Sequence, residues 1–288
     1  MVDSIVLVVG LGEIGHSLYE LLKENRKFEV YGWDVDKEKM QDIQQDDLPK
    51  EVGILHICFR CSGQKEFVNT IADYVRRFRP GLIIINSTVP PGTTEKVYAL
   101  LRGHVVHSPV RGMHKTREGM KRYLLLLTKY IGGVDEKSAE LARRHFEELG
   151  LKTKVLRGPV ETELAKLFET TYRAWMIACF QEMHRISRRF GADFDQVTDF
   201  LEDDHRVRFD RPIHFPGVIG GHCLIPNVEL LLESYDSEFA RLILRSNEKR
   251  KEEIKDPGIV EEVGKIEERV KALERELLKV RFESIPRT

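Results

Sequence analysis

Cysteine is scarce in this 288-residue sequence, with four residues at positions 58, 61, 179 and 223. So few in so long a chain make no disulfide framework, which excludes the small stapled secreted classes and points to a reduced, cytoplasmic setting. Net charge is nearly absent as well, with 46 Lys and Arg against 47 Asp and Glu. That removes the electrostatic case for nucleic acid or an anionic membrane surface as a partner. No apolar run approaches the ~20 residues of a membrane span. The most apolar stretch, RYLLLLTKYIGG, has strand length, and no basic segment precedes the first apolar run at Ile5, so neither a span nor a signal peptide is expected. Metal ligation is equally unsupported. Cys58 and Cys61 form a C-x-x-C, but the second pair that a zinc site requires is missing. The pair ends the apolar run ILHICF instead of opening a helix, and reads as two packed or semi-buried thiols.

The length suits about two domains of ordinary size. The chain opens on a short apolar run, then Gly10-x-Gly12-x-x-Gly15, then a segment with Leu18, Leu21 and Leu22 at helical spacing. A second run, FEVYGWD, ends in Asp34, nineteen residues after Gly15. Strand, glycine turn, helix and acidic residue in this order are the fingerprint of a dinucleotide site. Gly10 makes the tight turn, Gly12 admits the pyrophosphate onto the helix N-terminus beside Glu13 and Ile14, and Gly15 lets helix and strand pack closely. Asp34 accepts hydrogen bonds from the adenosine ribose and repels a 2′-phosphate, so the expected cofactor is NAD. Further strands are expected at ILHICF, LIIINS, HVVHSP and YLLLLT, most of them separated by helical patterns, which predicts a mainly parallel, doubly wound sheet. Ligands bind at the carboxyl ends of such strands. Ser87 and Thr88 of NSTVPPGTTE lie at one such end, where the threonine either touches nicotinamide or substrate or simply opens the loop before Pro90-Pro91.

The second half carries one long helical pattern, from about Thr162 to Phe190, stopped by Gly191. Lys166 and Thr170 share a face of it, and a lysine among Leu164, Leu167 and Phe168 is either snorkelling or functional. A shorter helical set follows, DFDQVTDFLED, and then a basic stretch expected to be irregular, in which Arg206, Arg208 and Arg211 suit a phosphate or a solvated surface. The loop FPGVIGGHCLIPN sets Cys223 directly after Gly220, Gly221 and a histidine, with Pro226 read as a stop. Glycines tolerate backbone that other residues cannot and let a ligand come near. A buried structural thiol needs no such company, whereas a nucleophile facing a substrate does.

Taken together, GLGEIG at 10–15, NSTVPPGTTE at 86–95, HSPVRG at 107–112, ELAKLFETTYRA at 163–174, GVIGGHCLIPN at 217–227 and ARLILRSNE at 240–248 resemble the UDP-glucose/GDP-mannose 6-dehydrogenase family over roughly residues 1–250. The resemblance implies oxidation of a sugar-nucleotide alcohol to a carboxylate with two NAD. Cys223 would capture the aldehyde as a thiohemiacetal and carry the thioester that water opens. Lys166 matches the family's oxyanion-stabilising lysine, and Thr88 the threonine that places water and cofactor. Gly220 and Gly221 would let the loop approach the reacting carbon. The sequence departs from the family at three supports. Val110 stands where the family has Glu, Thr170 where it has Asn, and Asn227 where it has Asp, and a neutral amide cannot take up a water's proton.

The family also carries a third, nucleotide-binding α/β domain. Here the residues after Pro257-Gly258 instead show a heptad pattern, with Ile259, Val263, Ile266, Val270, Leu273, Leu277 and Val280 at alternating spacings of four and three. This predicts either an amphipathic helix folded back on the body or a helix pairing with a second chain. The expected architecture is therefore an α/β, Rossmann-type doubly wound parallel sheet (1–155), an all-α domain with a long central helix for dimerisation and substrate (156–250), and a C-terminal coiled-coil-like helix (251–288). Three functions fit. One is a dehydrogenase acting on a UDP- or GDP-sugar or related small molecule, as a homodimer. The second is a catalytically degenerate NAD-binding sensor or scaffold, assembled through the coiled coil. The third is a β-hydroxyacid dehydrogenase relative, which leaves GGHC and STVPPGTT unexplained.

Overall fold

Strands β1 (Ile5–Val9) and β4 (Leu82–Ile85) are continuous apolar runs, as strands covered on both faces must be, and β3 (Ile54–Ile57) and β5 (His104–His107) add histidines to theirs. They pair in parallel, flanked by β2 (Glu29–Trp33) on one side and by β6 (Lys129–Gly133) and β7 (Thr153–Val155) on the other. The order is β2-β1-β3-β4-β5-β6-β7, with only the β5–β6 pair antiparallel. The strand order reverses at β1, with β2 added on one side and β3 on the other, and that switch point opens a crevice at the strands' carboxyl ends. A computed structural model describes residues 4–41, 43, 47–112, 117–208, 212–221 and 223–283.

Helices α1 (Glu13–Asn25), α2 (Gln64–Phe78), α3 (Thr93–Leu101), α4 (Arg117–Leu126) and α5 (Glu136–Glu148) connect the strands. The run YLLLLT, expected as a strand, instead ends α4, and the strand begins at Lys129. A short apolar run cannot distinguish the two by itself. Met120 and Leu124, four residues apart, bury one face beside α1, while Leu125 and Leu126 stay exposed.

Helix α6 (Pro159–Arg189) begins three residues earlier than its apolar pattern suggests, because proline's missing N–H is not needed in a first turn. Gly191, at φ +66°, takes the left-handed position after it. Helices α7 (Phe194–Arg208), α8 (Leu224–Ser234), α9 (Glu238–Glu253) and α10 (Pro257–Glu283) complete the chain. Two compact units result, residues 1–168 and 169–288. Most of the heptad seam on α10 is filled by its own chain: Ile266, Val270 and Leu273 pack with Phe180, Phe194 and Ile213, and Val263 is buried too. Arg269 pairs with Asp195 and Asp199, reinforcing the α7 contact. The expected pairing of these positions with a second chain is thus corrected to folding back. The side chains of Leu277 and Val280, like Arg211 and His222, lie outside the described residues.

Besides His16, three histidines are buried in the first unit. His56 Nε2 lies 2.9 Å from His145 Nε2, and His107 Nε2 lies 3.0 Å from the Ser87 carbonyl. Burial lowers all three pKa values, those of His107 and His145 to about 3. Between that value and the unfolded 6.5, the unfolded chain binds protons that the native one does not, so stability falls as pH falls. Urea melts are expected to lose about 1.4 kcal/mol per pH unit for each such histidine below pH ~6. A native state equally stable at pH ~6 and ~4 would contradict neutral burial.

Candidate active site

The glycine turn is dictated by close packing. Gly10 sits at φ +91°, and a Cβ there would lie 2.4 Å from the Phe59 nitrogen. A Cβ on Gly15 would lie 1.8 Å from the Gly10 carbonyl oxygen, whereas one on Gly12 would meet nothing within 4 Å. Two glycines therefore serve the fold, and the third faces open space at the N-terminus of α1. Exposed Glu13 and partly buried Ile14 form the first turn behind it. Asp34, at the end of β2, accepts from the Leu11 N–H at 2.6 Å and the Asp36 N–H at 2.9 Å. Its carboxylate is thereby aimed along a cleft of about 230 Å³ lined by Gly10, Phe59, Ser62 and Tyr74 among others. Turn, carboxylate and cleft fit the pyrophosphate, ribose and adenine side of NAD.

At the next strand end, the buried Ser87 hydroxyl donates to the Phe59 carbonyl at 2.6 Å, and half-buried Thr88 follows it. Beneath them Lys129, also buried, donates to Asn86 Oδ1 at 3.2 Å and to the Ser108 and Pro109 carbonyls at 2.5 and 3.3 Å. Burial pulls its ammonium down to about 7. Val110, 2% exposed, points into the apolar core with Val106 and Met120, so the position where the family has a glutamate carries no polar group. Lys166 is half-buried on α6, in the first unit.

In the second unit Cys223 is the residue heading α8. Pro226 does not stop the chain there; it sits in the helix's first turn, where no N–H is required. Asn227, one turn on, donates through Nδ2 to Thr170 Oγ1 at 3.3 Å, and both are buried. Two of the three altered positions thus form one neutral contact. Gly221 needs its glycine, at φ +79°, while a side chain on Gly220 would meet only the Val218 carbonyl oxygen, 3.9 Å away. Two residues unremarked in the sequence pin this loop. Asn247 takes the Ile219 N–H at 2.7 Å and returns a bond to its carbonyl, and Gln181 donates to the Gly217 carbonyl at 2.7 Å. The stretch holding Arg206 and Arg208 is the end of α7 and not irregular. Arg206 is engaged by Glu202 and Glu276, and Arg208 by Asp204. Among the described residues no cluster of three metal-ligating side chains occurs, and no helix is long and apolar enough to cross a membrane.

Sheet, glycine turn and acidic strand end define a Rossmann-type dehydrogenase fold continued by a helical unit. Residues 160–249 match the UDP-glucose/GDP-mannose dehydrogenase family, central domain. The chain is similar to that family, as its motifs suggested. It is 28% identical over 283 residues to the UDP-N-acetyl-D-mannosamine dehydrogenase of Methanocaldococcus jannaschii, covering 84% of this chain and 64% of that protein. To the enzyme of the same name from Pyrococcus horikoshii it is 32% identical over 195 residues, covering 63% and 44%. A solved UDP-D-ManNAc dehydrogenase from Pyrococcus horikoshii superposes with a TM-score of 0.71 at 26% identity, over 85% of this chain and 68% of that one. A UDP-glucose dehydrogenase from Pyrobaculum islandicum shares the fold, with a TM-score of 0.67 at 19% identity over 85% and 68%. The chain therefore spans less than two thirds of the length of the curated relatives it matches.

Proposed function

We propose that this protein is an NAD-dependent dehydrogenase that oxidises a CH–OH carbon of a sugar nucleotide through a covalent adduct on Cys223. The observation that carries the reading is Cys223 at the head of α8, inside the stretch matched to the family, where a helix N-terminus favours the thiolate. Gly12, Ser87, Thr88 and Asp34 would hold NAD, which accepts the hydride, and Asp34 selects against a 2′-phosphate. The alcohol loses a hydride and a proton to become an aldehyde. The Cys223 sulfur then adds to that carbon, and the resulting thiohemiacetal gives up a second hydride to leave a thioester. Water opens it, releasing the carboxylate and restoring the thiol. Lys166 steadies the negative oxygen at each addition. The Thr170–Asn227 pair can orient water but not take its proton, so the final hydrolysis relies on solvent or product groups for the base.

Sugar-nucleotide chemistry is supported by the relatives' names, among which UDP-N-acetyl-D-mannosamine recurs. A homodimer is supported by Tyr172, Met183 and Ile186 of α6 and Phe190 just after it, all exposed and apolar, and a cytoplasmic setting by the dependence on a reduced thiol. A second reading, a degenerate NAD-binding sensor, draws on buried Val110 and the neutral Thr170–Asn227 contact. Thiol alkylation separates the two. Burial raises Cys58 to about 12 and lifts Cys179, and Cys61 is buried. Cys223 is therefore expected to alkylate first, at a rate that NAD alters. Equal labelling of all four thiols would favour the sensor.

A further inference from the structure

Glu163 has no role in the sequence reading, yet it is fully buried at 0% exposure with its carboxylate held by neutral donors. One oxygen accepts from the Gly92 N–H at 2.6 Å, and the other from the Thr94 N–H at 2.9 Å and the Thr94 hydroxyl at 2.6 Å. Burial raises its pKa even against these donors. A buried carboxylate is costly unless its bonds are made, so this contact is specified and not incidental. Its neighbour Thr162 grips the same loop from the other end. His107 Nε2 donates to the Ser87 carbonyl at 3.0 Å, which leaves Nδ1 to accept from the Thr162 hydroxyl at 2.8 Å.

The first turns of α6 thus hold the segment 87–94 at both ends, and Thr88 lies between the two grips. Pro90 and Pro91 stiffen the span inside them. Lys166 follows at i+4 from Thr162 and i+3 from Glu163, on the helix face that makes the clamp. All of these residues belong to the first unit.

We infer that Glu163 is a positioning residue, fixing the Thr88 loop to the helix that carries Lys166 so that the two groups keep one spacing through the reaction. The inference rests on the proposed dehydrogenase activity. The simpler alternative is that Glu163 only caps α3. Glu163→Gln presents an amide N–H₂ to one of the N–H donors, and so breaks one grip while leaving the volume unchanged. It is compared with Asp135→Ala, which removes an ordinary cap, that of α5, where the Asp135 side chain accepts from the Ser138 N–H at 2.7 Å.

Positioning predicts that Glu163→Gln lowers kcat at least tenfold with KM for NAD within twofold, measured below its melting temperature. Asp135→Ala should melt lower but keep the wild-type kcat. A Glu163→Gln protein that melts lower and keeps kcat overturns the inference. Hydrogen exchange gives a readout that needs no turnover. If wild type itself forms no NADH, the dehydrogenase reading fails on its own, and exchange still decides the clamp. Faster exchange at Thr88 and Val89 in Glu163→Gln supports it, and acceleration confined to residues 92–94 overturns it.

Discussion

Cys223→Ala is expected to lose formation of the sugar acid by about 10³-fold or more, while binding NAD as tightly as wild type. The loss follows from chemistry and not from folding. The loop before Cys223 is held by Asn247 and Gln181 through backbone groups that alanine leaves in place. Stability should therefore change little. An aldehyde formed by the first hydride transfer would have no sulfur to capture it, and the second oxidation has no thiohemiacetal to act on. Residual NADH should not exceed one per sugar. The check is acid product by mass spectrometry beside NAD titration of the same variant. Wild-type acid formation would remove the nucleophile from the account.

The second large effect separates two glycines three residues apart. Gly15→Ala forces a Cβ to within 1.8 Å of the Gly10 carbonyl oxygen and 3.0 Å of Cys58 Cβ, against backbone that cannot rotate away. A cost of about 3 kcal/mol is expected, with binding lost alongside the fold. Gly12→Ala should behave in the opposite way. The residue is extended, at φ −70° and ψ −167°, and its Cβ would meet no protein atom within 4 Å. Stability should stay within about 1 kcal/mol, since only a helix-capping preference changes. NAD affinity should fall at least tenfold, about 1.4 kcal/mol, because the space belongs to the pyrophosphate. Thermal melts and NAD titrations of the two variants make the test. A Gly12→Ala protein with unaltered affinity would mean that the turn holds no dinucleotide.

These glycines also mark what was legible in advance. The strand, turn, helix and acidic residue of the first fifty positions are local in sequence, so their spacing alone carried the dinucleotide reading. Helix α6 was legible for the same reason, with apolar residues around much of it and Gly191 at its end. Other features depend on neighbours distant in the chain. The run at 123–128 satisfies a strand and a helix equally, and only burial of Met120 and Leu124 beside α1 decides it. The heptad on α10 specified a seam but not its partner, which proved to be Phe180, Phe194 and Ile213 of the same chain. Arg206 looked available because Glu276, 70 residues away, is assigned to it only by the fold, whereas Arg208 pairs with Asp204 one turn back, a partner hidden by the expectation of irregular chain there. Glu163, His107, Gln181 and Asn247 were missed altogether. Each is a buried polar group whose partner lies between 20 and 71 residues away, and no periodicity signals such a pair.

The central claim, two oxidations at one carbon with Cys223 between them, is tested most directly by counting NADH. Wild-type protein with NAD and a panel of UDP- and GDP-sugars, followed by nicotinamide absorbance to completion, should yield two NADH per sugar nucleotide consumed for at least one of them. No NADH from any sugar nucleotide while NAD still binds, or a strict yield of one, would contradict it.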